Sequence, residues 1–508
     1  MTPVFRDADL AQLAERGIPP AEAERQLALL ERPAGHAQLV RPCTVGDGIE
    51  RLDDARIDAL LVQHTEAAAQ GRVSAFVPAS GAATRMFREL LAARELPGPL
   101  APATIRAGGD ANARALASFI DELPRFAFAD ALAAVLSARG QRLETLRQKG
   151  PWRPVLDALL DPSGLDTARA PKGLLFFHRE GGEVRTAFEE HLIEACALAS
   201  DAAGTRRLDV TVSSEHRQGF ERLLAGRTPA LAARFGGTWR VAFSEQHPST
   251  DTIAAEPGGG PFRDERGRLL FRPAGHGALI ANLAESGGDL VFLKNIDNVA
   301  VSRLKPETER WSRALVGLAA ELAYAVHGWC ARLALGDGAL DGARAFAAAD
   351  LGLELPAGVS AAQARILLDR PVRVCGMVAN TGEPGGGPFW VRDSAGVSRQ
   401  IVESAQVDLR SAEQASLFRG ATHFNPVFLA ASLRDAQGRP HDLSRFVDDA
   451  AVIITRKSSG GRDLLALERP GLWNGAMARW HTRFVEVPLA VFNPVKTVFD
   501  LLRPEHQG

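Results

Sequence analysis

Apolar residues recur at helical spacing at the start of this chain and at strand spacing further on. Residues 7–16, 20–31 and 53–69 carry them at i, i+3 and i+4, with Pro19-Pro20 as a helix-start signal, so residues 1–70 are expected to be helical. Residues 73–77 are a short apolar run suited to a buried strand. An Ala/Leu-rich helical pattern follows over 88–168, broken at Pro97, Pro99, Pro102 and Pro151, and is read as an insertion. Beyond it, a helix with Phe188, His191, Leu192 and Ala195 on one face leads into strand-like runs at 208–212, 241–243, 269–271 and 290–293. Strands alternating with helices predict an α/β fold with a doubly wound mixed sheet. Residues 371–378 and 389–391 read as further strands, and 464–488 as a C-terminal layer. The expected organisation is a helical region at 1–70, a main domain at 71–445 with its insertion at 88–168, and a smaller α+β region at 446–508.

The chemistry collects where these runs end. After the first strand comes Ala79-Ser80-Gly81-Ala82-Ala83-Thr84-Arg85. Small side chains in a strand-to-helix turn let backbone N–H groups approach a phosphate, and a helix start favours its charge. Arg85 adds a planar fork of donors. No lysine of the P-loop pattern follows, so this is not a P-loop, and an ordinary strand-to-helix turn with a surface arginine is the alternative reading. Glycine and polar residues recur at five successive strand ends, the side on which open α/β sheets bind ligands. Besides the 79–85 loop they are Ser213-Ser214-Glu215, Gln246-His247-Pro248, Pro273-Ala274-Gly275-His276-Gly277 and Ile296-Asp297-Asn298, while Pro171-Lys172-Gly173 follows the helical insertion.

Composition narrows the classes. A hydrophobic share of 46% and a charged share of 24% describe a globular protein, and a net charge of −2 argues against a nucleic-acid surface. Cys43, Cys196, Cys330 and Cys375 stand too far apart for a zinc knuckle and read as reduced thiols of a cytoplasmic protein. No secretory leader is expected, because acidic residues fall within the first ten positions. The apolar stretch at 315–335 contains Glu321, His327 and Arg332 and is read as a core helix, with no membrane partner.

The order of motifs resembles the UDP-sugar pyrophosphorylases, most of all their UDP-N-acetylhexosamine branch. Ser80-Gly81-Ala82-Ala83-Thr84-Arg85 resembles the family's GGxGTR loop, with Ser80 and Ala83 in place of two glycines. Pro171-Lys172-Gly173 resembles its PKG, here displaced by the helical insertion. Val212-Ser213-Ser214-Glu215, Gln246 with Pro248, the 273–277 turn and Ile296-Asp297-Asn298 resemble MTSE, the Q-rich segment, PxGNG and VDN. Val402-Glu403-Ser404, Thr422-His423-Phe424 and Phe492-Asn493-Pro494-Val495-Lys496 are similar to VEYSE, NHFF and FSPxKN. The resemblance covers 71–497, and the whole chain also resembles a bacterial domain-of-unknown-function family.

The resemblance implies a GT-A-like nucleotidyltransferase fold and an enzyme joining a nucleoside triphosphate, UTP first, to a sugar 1-phosphate. It implies catalytic roles for Arg85, Lys172 and Lys496, and Mg²⁺ held by Asp297. Ala79, Ser80, Gly81, Ala83, Thr84, Gln246, Pro273, Gly275, His276 and Gly277 are expected to bind nucleotide. Glu383, Glu403 and His423 are expected to bind sugar phosphate. A glycosyltransferase or a non-catalytic nucleotide-sugar sensor would use the same site, and Lys172 separates them, since only a transferase releasing pyrophosphate needs a lysine at the α-phosphate. If the insertion reading holds, Lys172 lies beside the 80–85 loop in space.

Overall fold

The computed structural model describes residues 4–31, 35–382, 385–393 and 396–508. By internal contacts the chain divides into two units, each assembled from separate stretches. The first comprises Met1–Phe76, Ser244–Leu293 and Trp311–Leu489; the second comprises Val77–Phe243, Lys294–Arg310 and Ala490–Gly508.

We number only the strands of the main sheet: β1 (Thr44–Val45), β2 (Gly48–Glu50), β3 (Val73–Pro78), β4 (Thr205–Thr211), β5 (Thr238–Ser244), β6 (Leu290–Lys294), β7 (Val372–Ala379), β8 (Phe428–Ser432) and β9 (His481–Glu486). In the first unit the strand order is β1-β2-β9-β7-β8-β6-β3. The sheet is mixed: β7 runs parallel to β9 and antiparallel to β8, while β6 and β3 are parallel. Phe76, Val291, Leu293, Cys375, Met377, Leu429 and Phe484 share one core cluster, so the sheet is covered on a face that the apolar runs of the sequence foretell. A three-stranded antiparallel sheet (Gln38–Pro42, Gly387–Asp393, Gly396–Val402) stands beside it in the same unit.

The first seventy residues are not all helical as expected. Helices Asp7–Arg16, Pro20–Leu30 and Asp54–Ala69 form, the last capped by the Asp53 carboxylate accepting from Arg56 N–H at 2.8 Å. Residues 38–50, however, supply three short strands. Gln38–Pro42 and Gly48–Glu50 pair with Gly387–Asp393 and Phe484-Val485, far along the chain, and Thr44–Val45 adds to Gly48-Ile49; pairing at that range outweighs a short local pattern. The helix Lys305–Leu333 is the one helix among the described residues long and apolar enough to cross a membrane, and 61% of its most apolar window is buried in the protein. On it, Glu321 accepts from Arg56 at 2.9 Å and His327 donates to the Arg434 carbonyl at 3.1 Å.

In the second unit, β3 ends at Pro78 and β4 and β5 follow in sheet order. Residues 88–160 form six helices, from Arg88–Arg94 to Arg153–Leu160. They close around Phe119, Phe126 and Phe128, whose rings lie 5.0–6.4 Å apart. Two further stretches matter for chemistry. The helix Ala187–Leu198 starts at Thr186, whose hydroxyl accepts from Glu189 N–H while the Glu189 carboxylate accepts from Thr186 N–H. The C-terminal residues 490–508 run through single helical turns back across the unit.

Candidate functional site

The loop after β3 is held from both sides. Ala79 N–H donates to Thr211 O at 2.9 Å, and Ala83 N–H donates to Ala170 O at 3.0 Å. Thr84 Oγ1 donates to Ala168 O at 3.0 Å, Ala82 bridges Pro171, and Lys172 N–H reaches Gly81 O at 3.4 Å. The chain thus passes through the helical insertion and returns to lie against the loop it left. Two expectations change here. The loop does not open an α-helix: Ala83–Arg85 is a single 3-10 turn, and the next helix begins at Arg88. A helix dipole therefore contributes little to an anion at this loop. The amides of Ala79 and Ala83 are already spent on carbonyls, so those residues shape the loop and leave ligand contact to Ser80, Gly81, Thr84 and Arg85, which are exposed.

Lys172 stands on a 3-10 turn, Lys172–Leu174. Gly173 is required there, because a Cβ would meet the Phe220 ring at 2.7 Å. The Lys172 Nζ donates to Asp297 Oδ2 at 2.6 Å and to Val495 O at 2.7 Å. Both partners of the ion pair are largely but not wholly enclosed, at 17% and 18% side-chain exposure. Asp297 follows β6 and is fixed from the far end of the chain: Val495 N–H donates to Asp297 O at 3.1 Å. Asn298 binds the same segment through Asn493 N–H at 2.8 Å and Val491 O at 3.1 Å. That places Lys496 next in line, its Nζ 5.8 Å from the Phe492 ring centroid and its N–H on Asp500 Oδ2 at 2.8 Å. Four segments remote in sequence therefore bring Arg85, Lys172, Asp297 and Lys496 into one neighbourhood.

The donor set bears on Mg²⁺. No group of three or more His, Cys, Asp or Glu side chains clusters as a metal site among the described residues. One carboxylate beside a lysine does not retain a divalent ion alone, but it suits Mg²⁺ arriving on phosphate oxygens, the way this ion is commonly bound.

Behind Asp297 lies a group of charges that no motif announced. Lys294, the last residue of β6, donates to both Glu194 oxygens at 2.9 Å. Lys305 pairs with Glu190 at 2.9 Å and stands 3.7 Å from Glu194. Glu190 also meets His178 Nδ1 at 2.9 Å, and His178 Nε2 meets His506 Nδ1 at 2.9 Å. Glu190 and His178 are fully buried. Burial alone would raise the Glu190 carboxyl, but Lys305 and the His178 hydrogen bond override it and hold it down at about 2. Burial pushes His191 down to about 4 and His506 to about 3, so both rings are neutral. His191 Nε2–H donates to Ile296 O at 3.2 Å, which ties this interior to the residue before Asp297. The i, i+4 spacing of Glu190 and Glu194 was visible in the sequence; the lysines that answer them were not.

The remaining expected residues belong to the first unit. Gln246 is half-buried after β5. In the 273–277 turn, Pro273 is exposed and Gly275 takes φ 75°, a conformation that favours glycine. Gly277 does not make room for a ligand: its missing Cβ leaves space for Pro470 O, which a Cβ would meet at 2.0 Å. His276 is a packed side chain, accepting from Leu472 N–H at 3.0 Å and stacked 4.2 Å from Trp473, with burial lowering it to about 4. Glu403 is half-buried, and its N–H donates to Gln406 Oε1 at 3.0 Å. His423 lies between Thr422 Oγ1 at 2.9 Å and Glu486 at 3.3 Å, and Glu486 in turn pairs with Arg51. Glu383 lies outside the described residues.

The chain belongs to the family described as "Domain of unknown function (DUF4301)", whose model matches residues 6–507. No curated protein matches it. Among solved structures it is similar to a uridine diphosphate N-acetylglucosamine pyrophosphorylase from Trypanosoma brucei, at 12% identity over 99% of this chain and 85% of that one, with a TM-score of 0.48. A UDP-glucose pyrophosphorylase from Leishmania major, in complex with UDP-glucose, is similar at 13% identity over 98% and 79%, with a TM-score of 0.45. At such scores the case for an activity rests on this chain's own side chains.

Proposed function

We propose that this DUF4301 protein is a nucleotidyltransferase with a GT-A-like layered core, joining a nucleoside triphosphate, UTP by preference, to a sugar 1-phosphate and releasing pyrophosphate. The observation that carries the reading is Lys172, held between Asp297 and the Val495 carbonyl beside the 80–85 loop. In this reaction a sugar phosphate oxygen attacks the α-phosphorus in line while the bond to pyrophosphate breaks. Catalysis of such a step is positioning plus neutralisation of charge on the phosphoryl oxygens. Lys172 is placed to leave Asp297 for the α-phosphate, and exposed Arg85 to take the β- and γ-phosphates. Lys496 lies on the segment that already supplies Val495. Mg²⁺ bound with the substrate would supply further neutralising charge, with Asp297 as its protein ligand. Glu403 and His423 are proposed for the sugar phosphate, and the four unpaired thiols support a cytoplasmic setting.

A sensor without turnover is the second reading. It is favoured by Ser80 and Ala83 narrowing the loop and by the ion pair already satisfying Lys172. Incubation with UTP, Mg²⁺ and a panel of sugar 1-phosphates, reading pyrophosphate release, decides between them. Turnover in the wild type that is lost in Lys172→Met supports the transferase; UTP binding with no pyrophosphate from any sugar phosphate supports the sensor.

A further inference from the structure

The first unit contains a cavity of about 450 Å³ at the amino-terminal ends of the parallel strands β7 and β9. That volume lies in the range of small-molecule sites. Arg370 precedes β7, Arg479 precedes β9, and Arg399 enters from strand Gly396–Val402; all three line the cavity. Among the described residues none of the three forms an ion pair with a carboxylate.

The wall is unfinished in hydrogen-bonding terms. Arg399 Nη2 is buried without a partner, and its guanidinium lies against Gly352, where a Cβ would meet Nη2 at 3.1 Å. Trp480 is 4% exposed, lines the same cavity, and its indole Nε1 also has no partner. Buried donors are rarely left unanswered, so their recurrence at one cavity calls for an acceptor. Behind the wall a further cation adds to the field. Arg373 is fully buried on β7 and donates to Thr482 Oγ1 at 2.8 Å and Trp473 O at 2.6 Å, with no carboxylate partner. Asp393 and Asp448 also line the cavity and offset part of this charge. Burial, then Arg483, lowers Arg399 to about 10, and burial, then Arg479, lowers Arg370, the mark of cations crowded together.

We propose that this cavity binds a small phosphorylated anion through Arg370, Arg399, Arg479 and the Trp480 indole N–H. Several planar forks with multiple donors match the tetrahedral oxygens of a phosphoryl group better than a single carboxylate. The site uses no residue of the Lys172 cluster, so it stands independently of the reaction proposed above.

Calorimetric titration of the full chain with inorganic pyrophosphate at fixed ionic strength tests it, in an Arg85→Gln/Lys172→Met/Lys496→Met background that removes the charged phosphate contacts proposed above. Saturable binding should persist there and weaken at least tenfold on adding Arg370→Gln/Arg399→Gln. Arg479 is exposed, so Arg479→Gln serves if the double substitution fails to fold, and it should weaken binding at least threefold. Absence of saturable pyrophosphate binding in the background protein overturns the proposal, as does binding that Arg479→Gln leaves unchanged.

Discussion

Two lysine–carboxylate groupings within the second unit show how enclosure changes what the same charges can do. Lys172 and Asp297 form a single pair, each side chain 17–18% exposed, with the Val495 carbonyl as the lysine's second partner. Lys294, Lys305, Glu190 and Glu194 are nearly sealed, at 0–11% side-chain exposure, and every carboxylate meets more than one cation or donor. A charge in the sealed group cannot leave its partners without crossing a low-dielectric interior unpaired. A charge in the less enclosed pair, 17–18% exposed, keeps enough contact with solvent to exchange its partner for a phosphate oxygen. The sealed group is a support and the Lys172–Asp297 pair is the proposed site, and His191 on Ile296 O joins one to the other.

The contrast breaks most sharply at Lys305. Lys305→Met leaves Glu190 buried against fewer cations and should lower unfolding free energy by about 3–5 kcal/mol, read by chemical denaturation. A loss below about 1 kcal/mol would mean that the group is not sealed. The pH dependence sharpens it next. His191 and His506 have folded pKa values of about 4 and about 3, below the unfolded value near 6.5. Their contribution is present above pH 6.5 and is lost as pH falls toward those values, at up to about 1.4 kcal/mol per pH unit per ring. Glu190, held at about 2, adds a loss below about pH 4.5. Melting temperature should therefore fall steadily below pH 6.5, and a flat profile from pH 7 to pH 5 would contradict buried neutral rings. At the open pair, Asp297→Asn should change stability by less than about 1 kcal/mol while Mg²⁺-dependent turnover falls on the order of 100-fold. The smallest effect is expected at Glu403→Ala: a several-fold rise in the KM for sugar phosphate with UTP affinity unmoved.

The sequence showed the open region better than the sealed one. Glycine, proline and small residues mark turns directly, so the 79–85 loop and the turn at Gly173 were legible as places where backbone comes close. Their meeting across six helices depended on motif order, since nothing local to Lys172 points to Gly81. The helix expected to open from this loop begins only at Arg88, after a single 3-10 turn, and the loop is held by tertiary contacts to Ala168 and Ala170 that local propensity does not show. The strands at residues 38–50 were missed for a related reason. The sealed group draws Glu190, Lys294, Lys305 and His506 from four stretches, and each reads alone as a solvated side chain. The arginines of the β7–β9 cavity were equally silent, because an unpaired arginine looks like any other until its neighbours are known.

The claim that Lys172 is an exchangeable phosphate ligand can be measured directly by calorimetric titration of UTP into wild type and Lys172→Met, with and without Mg²⁺. The account predicts UTP binding in the wild type that strengthens with Mg²⁺ and weakens at least tenfold in Lys172→Met, with the melting temperature of the free protein little changed. Equal UTP affinity in the two proteins, or no UTP binding by the wild type, would contradict it.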